Sequence, residues 1–598
     1  MSRLLAVLAA SLALAGAARA QSQADKKPAA EDPKVQAAIQ AAVEKAKEEI
    51  RNEVRAELQG AQSAQEFMGQ VADQPRPELL DLNGYFRVRG EYLGKLHLRN
   101  RVDEAGFNFY PRPIRAGSNL SSANMRLRLE PTINASEAVR VHAQFDVLDN
   151  YALGSNQGAL NDSTGSPYPI PYWSTTRVYL QDDPTADRPL IIPRRVWADV
   201  QTPLGLLSFG RMPSHWGLGI LANAGTDIDQ DFGDSVDRLQ FAIPPVGTPL
   251  GRLVFVPFYD FDAEGVLHAD PRQAGTGQPF DADTGDDARS LGMKIARLDS
   301  EDEIRRKVDA GGHSLNFGLL YTRRTQRFTY PAWIDDGCTL SPCNGTTARR
   351  RGANAHIGSL WARWIGPKLR IEGELVGVYG DIEDANSGDP TSTVTGEVRM
   401  RQWGGAVQGS YTHSSKFSFG LELGAASGDS APGFGNIPTR GTVSGEEHPN
   451  YGSLEGPQWG RPGDDTINNF RFNPAYRVDL IFYRRILGQV TDSLYAKPSV
   501  RWTALPGLVF DGSVMYAQAM MAESTPSSRS ISPGSVNSPL DPANPGKRPL
   551  GLEFDLRATV SPSPAFSGWL DFGLLKPLGG MDADSVAWIL DFGLAARF

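Results

Sequence analysis

Hydrophobic and polar residues alternate with a period of two over most of this 598-residue chain, from Leu82 to the C-terminus. In the first such stretch, Arg87 and Glu91 lie on one face, and Phe86 and Tyr92 lie on the other. Segments of about ten residues with apolar side chains outward and charged side chains inward are typical of a transmembrane β-barrel. A series of soluble sandwiches would also alternate, but it requires domain linkers that this part of the sequence lacks. The predicted fold class is therefore all-β, a transmembrane antiparallel barrel.

The number of strands follows from the spacing of the alternating segments. Thirteen of them begin near 82, 120, 137, 193, 204, 236, 251, 289, 312, 355, 367, 397 and 415, and five more span 493–503, 508–520, 549–560, 565–576 and 586–598. Gaps after odd-numbered segments are long and most gaps after even-numbered ones are short, as expected for outer loops and periplasmic turns. The prediction is about 18 strands, within a range of 16–20.

One apolar segment, 476–487, does not fit this count. Its residues alternate or follow a helical period about equally well. A nineteenth strand would make the number odd, whereas both chain ends of such a barrel should face the periplasm. We assign the segment to a large outer excursion, 427–492, as a helix or hairpin folded on or into the mouth of the barrel.

The N-terminal part of the chain has a different composition. Residues 1–20 form a predicted signal peptide with a basic residue, a short apolar run and an Ala-Arg-Ala cleavage site. Residues 21–80 form a predicted periplasmic tether with an amphipathic helix from Val35 to Gln59, where Ala, Glu, Lys and Arg predominate. The helix is either an oligomerisation element or plug, or a solvated spacer. Residues 81–598 form the barrel.

The last segment resembles the C-terminal strand of bacterial outer-membrane β-barrels. From Trp588 to Phe598 every second residue is apolar, and the chain stops on the aromatic residue. In that family the terminal strand is recognised by the outer-membrane assembly machinery. The resemblance implies the outer membrane of a Gram-negative bacterium, with lipid and lipopolysaccharide as surroundings and the N-terminal segment in the periplasm.

Composition excludes several other classes. The formal net charge is -9, which argues against nucleic-acid binding. No apolar run after the N-terminus is long enough for a membrane helix. The two cysteines, Cys338 and Cys343, cannot hold together a disulfide scaffold, but they are predicted to form a small disulfide ring within one outer loop.

Charged residues on the predicted inner face are candidates for lining a pore and setting its ion selectivity. Most are expected to pair with each other, and the arginines of the first three strands could favour anions. The pore-lining candidates are Arg87, Arg89, Glu91, Arg126, Arg128, Glu130, Arg140, Glu372, Glu374, Arg399 and Arg401.

The region 209–237 contains two further features. An aromatic and glycine-rich stretch, 209–219, is too apolar for a free outer loop and is predicted to fold inward and constrict the pore. It resembles a motif of an uncharacterised porin-like family of myxobacterial outer-membrane proteins, and 472–480 has a looser likeness to alginate-export-type barrels. Next to it, Asp227, Asp229 and Asp231 could bind a structural Ca²⁺, although a solvated acidic loop is the alternative. No other cofactor is predicted.

These patterns predict a porin-like channel for passive passage of small solutes. The alternatives are a plugged or closed barrel that acts as a surface receptor, adhesion or structural protein, and, less favoured, an outer-membrane hydrolase. No G-x-S-x-G nucleophile motif or dinucleotide fingerprint is present, so no enzyme is predicted. The helix at 35–59 predicts a homo-oligomer only if it serves in assembly.

Overall fold

A computed structural model describes residues 79–96, 119–152, 191–231, 233–263, 287–329, 349–384, 396–430, 434, 439–443, 446–450, 465–528 and 546–598. The chain divides into two compact units, Met1–Arg51 and Asn52–Phe598. The predicted signal peptide, the N-terminal helix and the cysteine pair all lie outside the described residues. Among the described helices, none is both long enough and apolar enough to cross a membrane.

The second unit contains a closed antiparallel β-barrel of 18 strands. The first thirteen barrel strands are β1 (Leu80–Gly94), β2 (Asn119–Ser136), β3 (Val139–Ala152), β4 (Ile191–Thr202), β5 (Gly205–Pro213), β6 (Ser235–Thr248), β7 (Gly251–Ala263), β8 (Ala288–Arg297), β9 (Ser314–Thr329), β10 (Arg349–Ile365), β11 (Leu369–Ile382), β12 (Val398–Thr412) and β13 (Phe417–Ala426). The last five are β17 (Ser493–Leu505), β18 (Leu508–Ala519), β19 (Pro549–Ser563), β20 (Phe566–Pro577) and β21 (Ala587–Arg597). The predicted strand number is confirmed.

Three short strands lie between β13 and β17. β14 (Thr439–Val443) and β15 (Glu446–Asn450) form a separate hairpin. β16 (Thr466–Ile467) pairs in parallel with Arg399 and Met400 at the start of β12. β13 pairs with β12 only from Gly404 onward. β13 itself pairs directly with β17, which confirms 427–492 as an excursion between two neighbouring barrel strands.

The barrel closes where β1 pairs with β21, from Tyr85 opposite Arg597 to Gly94 opposite Trp588. The main chain of Phe598 adds two hydrogen bonds to Gly84, at 3.0 and 3.1 Å. Closure gives every barrel strand a neighbour on each side, as the absence of water in a lipid bilayer requires.

The alternating sequence pattern becomes two faces of this sheet. On β1, Phe86 and Tyr92 are each 41% exposed, whereas Arg87 and Arg89 are 0% exposed. A soluble domain would bury the apolar set instead. The exposed apolar residues continue around the barrel, for example Leu360 at 55% and Leu375 at 54%. The barrel therefore has an apolar outer wall and a charged interior.

The two ends of the barrel differ in their connections. Two-residue turns join several strand pairs at one end, for example β2 to β3 and β4 to β5, and we call this the short-turn end. Its longest connection, 298–313, contains helix α1 (Glu301–Asp309), which begins with a capping box between Ser300 and Glu303. The long connections lie at the opposite end, the long-loop end, as the parity of the gaps predicted.

Candidate functional site

Within the described part of the chain, two long-loop-end connections fold back into the barrel. The first, inner segment A, comprises 214–234 between β5 and β6. Gly217 has a φ of +57°, and a Cβ there would lie 2.8 Å from Oε2 of Glu374 on β11. The same carboxylate accepts the Gly219 and Ile220 N–H groups at 3.1 and 3.3 Å. The backbone conformation at Gly217 and its close approach to the wall both favour glycine. The predicted inward fold of 209–219 is observed for 214–219, whereas 209–213 is the end of barrel strand β5.

The tip of inner segment A crosses the interior to an arginine cluster. Asp229 forms ion pairs with four arginines, which lie on β1, on β19 and in the loop 465–492. Asp231 pairs with two arginines of β1. The pairs of Asp229 are Arg477 at 2.8 Å, Arg89 at 3.1 Å, Arg484 at 3.2 Å and Arg557 at 3.4 Å. Burial alone would raise the pKa of Asp229, but these cations outweigh it and hold that pKa well below its usual range.

The predicted pore-lining arginines of β1 and β2 point into the interior, where they contact this tip and β3. Arg87 and Arg89 reach Asp231 at 3.3 and 2.7 Å. Arg126 bonds the Asp149 carboxylate and the Gln230 carbonyl, and Arg128 forms a bidentate pair with Asp146. All four side chains are at most 6% exposed. Their charges are therefore compensated by carboxylates rather than presented to an open pore.

The predicted acidic candidates and Arg140 have separate surroundings. Glu91 pairs with Arg485 of the second inner loop. Glu372 accepts the Trp361 indole N–H at 2.7 Å, and Glu374 holds inner segment A as described above. Glu130 accepts from Gln144, and Arg140 lies half-buried near the short-turn end, opposite Asp199 of β4.

Arg399 and Arg401 are not on the inner face, so including them among the pore-lining residues was wrong. Both lie an even number of residues from Trp403 on β12 and therefore point to the same face, and Trp403 is 44% exposed on the outer wall. The inward positions of β12 are instead small, such as Gly404, against which Phe470 packs. Arg401 lies over the exposed ring of Tyr379, at 3.7 Å from the ring centroid.

The second inner loop, inner segment B, comprises 465–492. Its side chains Phe472, Ile481, Phe482 and Ile486 are all 0% exposed and belong to the largest apolar cluster of the described residues. Phe482–Leu487 forms a short π-helical turn. The prediction that 476–487 is not a barrel strand is confirmed.

Glu553 on β19 anchors that turn. Its carboxylate accepts the N–H groups of Leu480, Ile481 and Phe482 at 3.1, 2.7 and 2.9 Å. These are donors that the first turn of a helix cannot satisfy internally. The sequence analysis missed this role, although two arginines inside an otherwise apolar run, Arg484 and Arg485, were a visible sign of a buried polar environment.

Asp492 ends inner segment B, directly before β17. It is 0% exposed and accepts a hydrogen bond from the hydroxyl of Ser524 and one from the Met521 N–H at 2.9 Å. Burial raises the pKa of Asp492 to about 8, and the carboxylates of Asp429 and Glu523 act in the same direction.

A pH dependence follows from Asp492. Its carboxyl group in the unfolded chain has a pKa near ~3.9. Between about pH 4 and about pH 8 the folded protein binds a proton that the unfolded chain has released, so this residue lowers stability as pH rises through that window. We expect Asp492→Asn to flatten that slope, measured as unfolding temperature against pH. The exposed Asp227→Asn is the control, and equal slopes in all three proteins would contradict the prediction.

Between the inner segments and the wall of β2–β10 remains a polar cavity of about 730 Å³, the lumen pocket. Its lining includes charged groups from six strands, namely Arg128, Arg194, Arg195, Arg238, Asp260, Asp262, Lys294 and Arg324. Most of these arginines are ion-paired, for example Arg238 with Asp260 at 2.6 Å.

Lys294 differs from the other cations of the lumen pocket. It is 4% exposed, and its Nζ has no hydrogen-bond partner among the described residues. It lies 5.9 Å from the centroid of the Phe258 ring, with Trp216 and Leu320 in the same apolar cluster. A buried ammonium group without a partner is energetically costly, so it is a candidate for contact with an anion in the pocket.

The proposed calcium ligands do not meet at one point. Asp227 is exposed, whereas Asp229 and Asp231 are engaged by arginines. Within the described ranges, the group of three carboxylates whose oxygens lie within 4.8 Å of one another is Asp229, Asp571 and Asp591. Calcium binding at 227, 229 and 231 stays an untested prediction.

No family model and no curated protein matches the chain. Among solved structures, it is similar to Pseudomonas aeruginosa OpdK with vanillate (12% identity, TM-score 0.41, covering 87% of this chain and 98% of that one). It is also similar to P. aeruginosa OccK2 in complex with glucuronate (10%, 0.41, 88% and 100%) and to Vibrio cholerae OmpT, an outer-membrane protein (8%, 0.34, 88% and 100%). The fold rests on the strand pairings above and not on these distant likenesses.

Proposed function

We propose that the protein is a channel of a Gram-negative outer membrane that lets small polar solutes pass passively through the lumen pocket. The observation that carries the proposal is a closed barrel into whose interior two inner segments fold, with this polar cavity of about 730 Å³ beside them. The apolar outer wall suits lipid, and short turns at one end with long loops at the other are typical of outer-membrane barrels. The short-turn end then faces the periplasm.

The constriction favours selective passage over a wide diffusion pore. Barrels of this size leave a broad aqueous channel unless something fills it. Here inner segment A reaches from Glu374 on β11 to Arg89 on β1, and Gln230 and Asp229 bond inner segment B at Ala475 and Arg477. A solute therefore has to pass beside the two segments.

Single-channel conductance in a planar bilayer tests the channel directly, with the full barrel chain and with a variant lacking 21–80. Small ohmic steps from both support the proposal. Steps only after the deletion would make the N-terminal helix a plug. Silence from both, with folding verified by heat-modifiable gel migration, would refute the channel and favour a closed surface barrel. That second candidate has its own support in the fully buried apolar packing of inner segment B.

Selectivity for anions is expected to depend on Lys294 rather than on the arginines of β1 and β2. The arginines of β1 and β2 already contact carboxylates, whereas the Lys294 amine has no hydrogen-bond partner among the described residues, so Lys294→Gln removes the pocket's basic group that is free to contact an anion. We expect the anion-to-cation permeability ratio, from reversal potentials in a salt gradient, to fall severalfold. Lys307→Gln on α1, whose ammonium pairs with Asp299 outside the barrel interior, is the matched control. An unchanged ratio in Lys294→Gln would contradict this assignment.

The remaining proposals concern the assembly of the barrel, its oligomeric state and its lack of enzymatic activity. Recognition of the strand ending in Phe598 by the assembly machinery, assembly through 35–59 and the absence of enzymatic activity all remain predictions.

A further inference from the structure

A patch of cationic and aromatic side chains lies on the outer wall near the long-loop end. Register places Arg323 of β9 opposite His356 of β10, His356 opposite Tyr379 of β11, and Tyr379 opposite Arg401 of β12. Directly paired residues of an antiparallel sheet point to the same face. Because Tyr379 is 59% exposed on the outer wall, all four side chains belong to that wall. We call this row the outer cationic patch.

The patch is prearranged by contacts of its members with one another and with neighbouring groups of the wall. Arg401 donates to the Gly380 and Met400 carbonyls at 2.8 and 2.7 Å while its guanidinium covers the Tyr379 ring. Arg323 donates through Nε to the Asn354 side chain at 2.9 Å. A third contact joins the Tyr321 hydroxyl to the His356 ring at 2.7 Å.

Neither arginine of the patch has a carboxylate partner within the described part of the chain. This sets them apart from Arg211 of β5, also on the outer wall, whose guanidinium is bidentate to Asp237 at 2.7 and 2.6 Å. Two unneutralised guanidinium groups therefore remain available to an external anion. Guanidinium is well suited to phosphate, which it binds through paired N–H donors.

The position of the patch indicates the kind of anion. One step toward the short-turn end the outer wall carries Tyr321 and Trp403, and beyond them come Leu319, Leu360 and Leu375, all at least 40% exposed. Aromatic residues mark the level where headgroups meet hydrocarbon. An anionic lipid bound at the patch would thus place its phosphate at the headgroup level and its acyl chains along the exposed leucines. The patch spans four strands, about 14 Å at ~4.8 Å per strand, wide enough for two phosphates on one headgroup.

We propose that the outer cationic patch is a binding site for the phosphorylated headgroup of an outer-leaflet glycolipid, lipopolysaccharide through its lipid A phosphates. The inference rests on the outer-membrane location in the proposed function, because only that leaflet presents such a lipid at the long-loop end. It does not depend on whether the barrel conducts.

The test measures binding of diphosphoryl lipid A to the purified full chain in detergent micelles by native mass spectrometry. Each arginine near an anionic lipid is expected to contribute about a factor of five to ten in affinity. The double variant Arg323→Gln/Arg401→Gln should therefore bind diphosphoryl lipid A about thirty-fold more weakly, or weaker still. Arg211→Gln, an outer-wall arginine already neutralised by Asp237, should bind like the unaltered protein. Heat-modifiable migration verifies that each variant is folded.

Two lipid controls decide the chemistry. Fully dephosphorylated lipid A should bind the unaltered protein as weakly as diphosphoryl lipid A binds the double variant. Equal binding of both forms would overturn the phosphate assignment, and equal binding of phosphatidylglycerol would overturn the choice of glycolipid. Lipid A binding by a barrel that shows no conductance would refute the channel alone, and conductance without this binding would refute the site alone.

Discussion

Replacing Asp229 by alanine is expected to have the largest effect of any single substitution in this protein. The carboxylate is 5% exposed and is the shared partner of Arg89, Arg477, Arg484 and Arg557. Its removal takes from Arg484 its ion-pair partner among the described residues and leaves Arg89, Arg477 and Arg557 with only Asp231, Glu91 or Asp571. Breaking a buried pair from one side costs about 3–5 kcal/mol. The folded barrel should lose stability by that order, and the tip of inner segment A should detach from the wall.

The measurement has two parts. The temperature at which the heat-modifiable band converts reports stability, and single-channel conductance reports the constriction, which should widen in Asp229→Ala. Asp227→Ala, two residues away and exposed, is the control and should change neither quantity. An Asp229→Ala protein with wild-type stability and conductance would mean that the arginine cluster holds the loop without this carboxylate.

Phe482→Ala should give the second largest effect. This ring is 0% exposed in the π-helical turn of inner segment B and packs toward Gly551 of β19. Truncating a buried phenylalanine costs about 3–5 kcal/mol through lost burial and the cavity left behind. Because the turn anchors inner segment B, we also expect noisier conductance with frequent larger steps.

Phe419 on β13 provides the matched control. It is 49% exposed on the outer wall, so Phe419→Ala removes the same atoms from a site that faces lipid or detergent. Its conversion temperature should fall far less than that of Phe482→Ala, and its conductance should stay unchanged. Similar losses in both variants would show that inner segment B contributes no special packing to the barrel interior.

The sequence analysis was accurate for the wall and incomplete for the interior. Strand alternation identifies the faces because a strand has a period of two, and the lengths of the gaps identify the ends. On β12 this reasoning failed, since Arg399 and Arg401 were placed inside. The inward positions there include Gly404 and Ala406, whose small size leaves space for inner segment B. The local sequence does not indicate that such space is required.

The partners of the inward charges were equally beyond the sequence. Arg89 and Arg477 are separated by nearly 400 positions, yet both reach Asp229. The inward orientation of a side chain follows from its odd or even position on a strand. Its ion-pair partner depends on where a loop from another part of the chain lies in the folded barrel. The same holds for Lys294, an unremarkable residue in the sequence that becomes distinctive only because the fold buries its ammonium group without a partner.

The sequence by itself thus determined the closed barrel, its 18 strands, the inward turn of the loop after β5 and the excursion before β17. These are consequences of short-range periodicity and chain length. Only the tertiary structure decided which charges are compensated, where the lumen pocket remains and which arginines face outward. Those properties arise because burial and ion pairing depend on the distances between residues that are remote in the chain.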